Sequence, residues 1–220
     1  MCYYDKDVTA HLKVHEVIKG NLLEHPNDTK IVTVLIALLR YCSHDNENEI
    51  IHGGCLQCVV HTAMKHRSSP LVQLNTMLFL QDLTAELTDT CTKRVLQSKA
   101  VACATQAVTR HWKSEPIVQA SLAVVTNIFQ YQEGVNSEAA TTALKGLKGI
   151  LLRSIMKKSR TPATVVAAFN CLLSLAMDRG DVKKIIVESG LIARTTEIME
   201  SFGDSAEVQR SAADLLEYFN

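Results

Sequence analysis

The densest run of chemistry-bearing side chains is His52-x-x-Cys55-x-x-Cys58-x-x-His61, which has the residue types of a tetrahedral zinc site. Helical geometry argues against that use. On one helix, steps of three advance about 300° each, so Cys55, Cys58 and His61 fan over roughly 120° and climb ~9 Å, too far apart for one ion. His52 lies beyond Gly53-Gly54, and no second Cys-x-x-Cys pair exists. The expectation is no metal, with Cys58 in the core and His61 on the surface. A redox Cys-x-x-Cys needs a βαβ setting that this chain lacks. No phosphate-binding loop, dinucleotide fingerprint, nucleophile elbow or His-Glu-x-x-His occurs. Gly146-x-x-Gly149 falls within a predicted helix with no Lys-Ser pair behind it. No spacing pairs a nucleophile with a base. The chain therefore reads as non-catalytic, without cofactor or small-molecule substrate.

Composition sets the scaffold. The 220 residues are 47% apolar and 21% charged, enough to bury a core. Lys+Arg 23 against Asp+Glu 23 gives zero formal net charge, which argues against nucleic acid or an anionic membrane as the main ligand. Only 9 Gly and 4 Pro favour helices over many short strands. Seven cysteines, an odd number scattered through apolar helical stretches, read as reduced core residues. The start, Met1 to Asp7, shows no signal peptide, and no apolar run approaches the ~20 residues of a membrane span. A cytoplasmic or nucleocytoplasmic location is expected.

A period organises the chain. Pro70-Leu71-Val72-Gln73, Pro116-Ile117-Val118-Gln119, Pro162-Ala163-Thr164-Val165 and Ala206-Glu207-Val208-Gln209 recur at spacings of 46, 46 and 44, and a looser copy starts at Pro26. Each opens an amphipathic helix, for example Val72, Thr76, Leu80 and Leu83. Proline suits the start, where its missing N–H costs nothing. Before these helices recur a short helix, a glycine turn and a second helix, clearest at Glu49 to Leu56 and Lys184 to Ile192. Lys93 to Val101 and Lys145 to Leu151 occupy the same place in two further modules. Three helices per module are expected, in one domain with modules at 1–43, 44–90, 91–133, 134–178 and 179–220.

This layout resembles the armadillo repeat family over nearly the whole chain, best at Ile50 to Leu83 and Lys184 to Phe219, with HEAT-like or mixed helical repeats as a neighbouring alternative. The resemblance implies an all-α fold, a right-handed α-solenoid of about five three-helix modules whose apolar faces are buried only by stacking. It also implies a concave groove, lined by third helices, that takes an extended peptide, with an Asn holding the peptide backbone and often a Trp one turn earlier. Counted from the turn residues, the Asn positions are Tyr41, Asp82, Ile128, Ser174 and Tyr218, and the Trp positions are Ala37, Leu78, Val124, Asn170 and Asp214. None matches, so the import-type clamp is not expected. The groove reads as apolar in the middle at Val124 and Ile128, with a tyrosine at each end; the same residues could instead pack between neighbouring helices.

Charge is segregated. Lys145, Lys148, Arg153, Lys157, Lys158 and Arg160 form a basic ridge in a stretch free of acids, suited to steering a partner's acidic segment or simply to solvation. Without aromatics among them, single-strand stacking is not expected. Trp112 reads as a cap over a helix junction. The last helix, ending Leu215-Leu216-Glu217-Tyr218-Phe219-Asn220, lacks a polar tail, which suggests self-association through that end. The two readings are therefore a protein-binding scaffold and an assembly component joined end to end.

Overall fold

A computed structural model describes residues 13–43, 46–85, 89–130, 137–156 and 161–220; the side chains of 89, 90, 137 and 153–156 lie outside the description. The described residues form thirteen α-helices and no strand. The chain divides into two compact units, Met1–Cys103 and Ala104–Asn220.

The first unit holds α1 (Val14–Glu24), α2 (Thr29–Cys42), α3 (Glu47–His52), α4 (Cys55–Lys65), α5 (Pro70–Thr84), α6 (Asp89–Gln97) and the first turn of α7 (Ala100–Arg110). Helix α2 runs beside α5, α1 packs on α2 and α4, and α3 touches α4 and α6. The second unit continues α7 and adds α8 (Glu115–Gln130), α9 (Ser137–Met156), α10 (Pro162–Ala176), α11 (Gly180–Glu188), α12 (Leu191–Ser201) and α13 (Ala206–Phe219). Here α10 lies between α8 and α13, while α9 packs on α10, α11 and α12. Leu22, Ile36, Leu39, Leu56, Met77 and Phe79 make the first unit's core, and Phe129, Phe169, Leu172, Leu175 and Leu215 the second's. Their burial is the main favourable term for such stacked helices.

The long third helices α2, α5, α8, α10 and α13 start at a polar residue whose carbonyl accepts the first i+4 bond: Asp28, Ser69, Ser114, Thr161 and Ser205. Such residues suit that place because a side-chain oxygen can satisfy an orphan N–H. The Asp28 carboxylate accepts from the Lys30 and Ile31 amides, Ser69 from Val72 and Ser205 from Val208. The recurring Val-Gln has a physical role. The Gln73 amide donates to the carbonyls of Ala63 (2.8 Å) and His66 (3.3 Å), and Gln209 donates to Met199 (2.7 Å) and Phe202 (3.2 Å). Each glutamine thus fastens its third helix to the last turn of the second helix before it.

Second helices open after a residue in the left-handed region: Lys13 (φ 43°), Gly54 (φ 78°), Lys99 (φ 67°) and Gly190 (φ 74°). Glycine tolerates this conformation and lysine resists it. The third module therefore keeps the turn that its missing glycine obscured.

The fourth module departs from the expected three helices. Helix α9 runs unbroken through Gly146 and Gly149. At Gly146 a Cβ would lie 2.4 Å from Thr105 Cγ2, so this glycine serves a close approach of α9 to α7 rather than a turn.

Candidate partner-binding surface

Aligned on their first-turn carbonyls, the third helices place one residue thirteen positions on at equivalent sites: Tyr41, Asp82, Asn127, Ser174 and Tyr218. Nine positions on stand Ala37, Leu78, Ala123, Asn170 and Asp214. The sequence expectation is one residue out of register in α8. Pro116 is the second residue of that helix, behind Glu115, whereas Pro70 and Pro162 are the first of theirs. Val124 and Ile128 are accordingly 0% exposed. They match the core residues Phe79 and Cys171, and Leu83 and Leu175, respectively. The groove positions in α8 are the half-buried Ala123 and Asn127. An asparagine therefore does stand at one Asn position. The signal that finds it is the row of N-cap residues, not the row of prolines.

The same slip explains Gln119, which lies one residue past the position of Gln73 and Gln209. Its amide donates to Thr164 Oγ1 (2.8 Å) and Thr161 Oγ1 (3.2 Å). Glu115 accepts from both threonine hydroxyls. This polar network, not visible in the sequence pattern, ties the start of α8 to the start of α10.

In the second unit, a hollow of about 210 Å³ between α8 and α10 is lined by Thr126, Gln130, Asn170, Leu173, Ser174 and Met177. Asn170 is exposed, and its Oδ1 accepts from Ser211 Oγ of α13 at 2.9 Å. Ser174 is buried and donates to the Cys171 carbonyl, so it forms wall rather than contact surface. Tyr218 is half-buried, and its hydroxyl is used internally. It donates to the Ala176 carbonyl (2.9 Å) and accepts from the Asp178 amide (3.2 Å), with Lys183 over its ring. Arg179 closes the same helix end. It is buried, donates to the carbonyls of Ser174, Leu175 and Met177, and stands over the Phe129 ring. Burial lowers its guanidinium pKa from the ordinary value.

In the first unit, a larger hollow of about 470 Å³ is lined by Arg40, Tyr41, Ser43, Glu47, Asp82 and Ala85. Arg40 Nε meets Asp82 Oδ2 at 2.6 Å. Tyr41 stands outward and Leu78 is half-buried.

Of the basic ridge, Lys145 and Lys148 are exposed on α9. The Arg153 side chain and Lys157, Lys158 and Arg160 lie outside the described residues. Of the His/Cys run, Cys55 is the core residue and Cys58 is half-buried, the reverse of the expected emphasis, while His52 and His61 are exposed. Burial pushes the Cys55 thiol up to about 12. Among the described residues no three His, Cys, Asp or Glu side chains converge as a metal site, and no helix is long and apolar enough to cross a membrane. Trp112 is half-buried between α7 and α8, with Lys113 Nζ 5.6 Å from its ring centre. The outward residues of α13 are Glu207, Arg210, Ala213, Asp214 and Glu217. The last helix thus turns a polar side to solvent, contrary to the expectation of an exposed apolar end.

A family model described as the LRRK2 ARM repeat matches residues 13–219. The chain belongs to the LRRK2 ARM repeat family. ARM repeats generally mediate protein–protein interaction and are typically non-catalytic, and the third-helix ladder described above is this ARM chain's corresponding surface. No curated protein and no solved structure matches the chain.

Proposed function

We propose that this ARM repeat chain is a non-catalytic interaction scaffold that holds an extended segment of a protein partner along the third helices of its second unit. The observation that carries this reading is the hollow between α8 and α10, which falls on the expected third-helix face and sets amide side chains beside apolar ones. Gln130 and Asn170 suit the N–H and C=O groups of an extended main chain, and Asn127 occupies the position that holds a peptide backbone in armadillo proteins. Leu173 and Met177 suit an apolar partner side chain; methionine adapts its shape readily. The exposed Lys145 and Lys148, with the other cations of their stretch, would steer an acidic flank of the partner, an effect that salt weakens. Free thiols at Cys103 and Cys171, buried in the core, fit a reducing, cytoplasmic setting.

The test is selection of peptides from a displayed library of disordered protein segments against the full chain, followed by titration calorimetry. Asn127→Ala with Asn170→Ala should weaken selected peptides by about tenfold or more, the scale of an interface hot spot. Affinities untouched by these changes and by Leu173→Glu would remove the groove from the reading.

A further inference from the structure

Helix α2 is apolar on two opposite sides. Val32, Ile36 and Leu39 are fully buried toward the core, whereas Val34, Leu38 and Tyr41 are 57%, 44% and 82% exposed. At about 100° per residue the outward three share an arc of roughly 60° and rise ~10 Å, a stripe of the kind that packs on another helix. Three of the eight large apolar side chains exposed among the described residues sit on this stripe, so it is not scattered surface.

Register shows what is missing. Leu38 stands ten residues after the first-turn carbonyl of its helix, where the other third helices carry Phe79, Val124, Cys171 and Leu215, each fully buried. In the second unit such helices lie side by side, α10 between α8 and α13. The face that α2 leaves open is therefore shaped for a helix rather than for an extended strand.

The stripe ends at the hollow lined by Arg40, Tyr41, Ser43, Glu47, Asp82 and Ala85. Two carboxylates there outnumber one guanidinium, and the α2 C-terminus adds its partial negative charge. A cation fits that end, and the Tyr41 ring offers it a π face.

We propose that the outward face of α2 docks an amphipathic helix of a partner protein, whose apolar stripe covers Val34, Leu38 and Tyr41 and whose Lys or Arg enters the hollow beside Glu47 and Asp82. This surface is separate from the extended-peptide groove of the second unit.

Three labelled 18-residue helical peptides serve as probes on the full chain, read by fluorescence anisotropy: an amphipathic helix with Lys and Arg at one end, the same helix with Glu there, and a version with Ser in place of its apolar stripe. The first should bind, and the other two about tenfold or more weaker. Leu38→Glu and Tyr41→Ala, both at exposed positions, should cause a similar loss while leaving the thermal midpoint and groove-peptide binding unchanged. Equal binding of the three probes, or binding indifferent to Leu38→Glu, overturns the proposal. So does a dimer in sedimentation velocity that Leu38→Glu dissolves, since the occupant would then be a second copy. A benzoylphenylalanine at position 38 that cross-links to residues 1–12 of its own chain would overturn it as well.

Discussion

At the scale of single residues, two features govern how the surface is held. Gln73 is almost fully buried and carries two carbonyls of the preceding helix, so its loss leaves both without that donor. Gln73→Ala should cost ~1–3 kcal/mol in urea unfolding, the range for orphaned buried polar groups. Gln119→Ala should cost below ~1 kcal/mol, because its threonine partners also donate to Glu115. Equal losses would show that the two glutamines do the same job. The buried thiols set a pH limit. Burial pushes Cys103 and Cys171 up to about 12, whereas an unfolded cysteine titrates near ~8.5. Between those values the unfolded chain releases protons that the folded chain keeps, so stability falls as pH rises from about 9 toward 12. Urea midpoints should be lower at pH 10.5 than at pH 7.5, and a Cys103→Ala/Cys171→Ala variant should show a shallower decline. An identical slope in that variant would move the effect to other groups.

At the scale of elements, the turn before each second helix demands a left-handed residue, and the chain fills it unevenly. Lys99→Gly removes a strained lysine at φ 67° and should stabilise by about 0.5–1 kcal/mol, the offset being glycine's greater freedom when unfolded. Gly54→Ala and Gly190→Ala introduce the same strain, with nothing near either Cβ to compensate, and should destabilise by ~1–2 kcal/mol. Thermal unfolding of the three variants reads the signs directly; a destabilising Lys99→Gly would mean that the lysine side chain contributes more than its backbone loses. Helix α9 shows the opposite use of glycine, since Gly146 sits where a turn belongs in the other modules yet supports close packing on Thr105.

At the scale of the whole molecule, the ends differ. The outward side of α13 carries Glu207, Arg210, Asp214 and Glu217, and terminal repeats with polar outer faces stay soluble. Leu216→Glu should therefore leave the sedimentation coefficient unchanged at tens of micromolar, and a self-associating chain released by that substitution would restore the end-to-end assembly reading. The opposite end presents the apolar stripe of α2. The two units, Met1–Cys103 and Ala104–Asn220, thus each carry a hollow on third-helix residues, one rimmed by charge and one by amides.

Local chemistry alone determined the helical class, the module period, and the places of Pro70, Pro162, Gly54 and Gly190, because apolar spacing and turn residues act over a few neighbours in the chain. The same row of Asp28, Ser69, Ser114, Thr161 and Ser205 held the correct register in plain view. Only the tertiary structure decided the rest. Whether an apolar side chain at a given turn is core or surface depends on which helix lies beside it: Leu38 and Cys171 occupy equivalent positions, yet one is exposed and the other buried. The single helix α9, the forward-turned Gln119 and the internally bonded Tyr218 likewise depend on partners some 40 residues away, which no local spacing encodes.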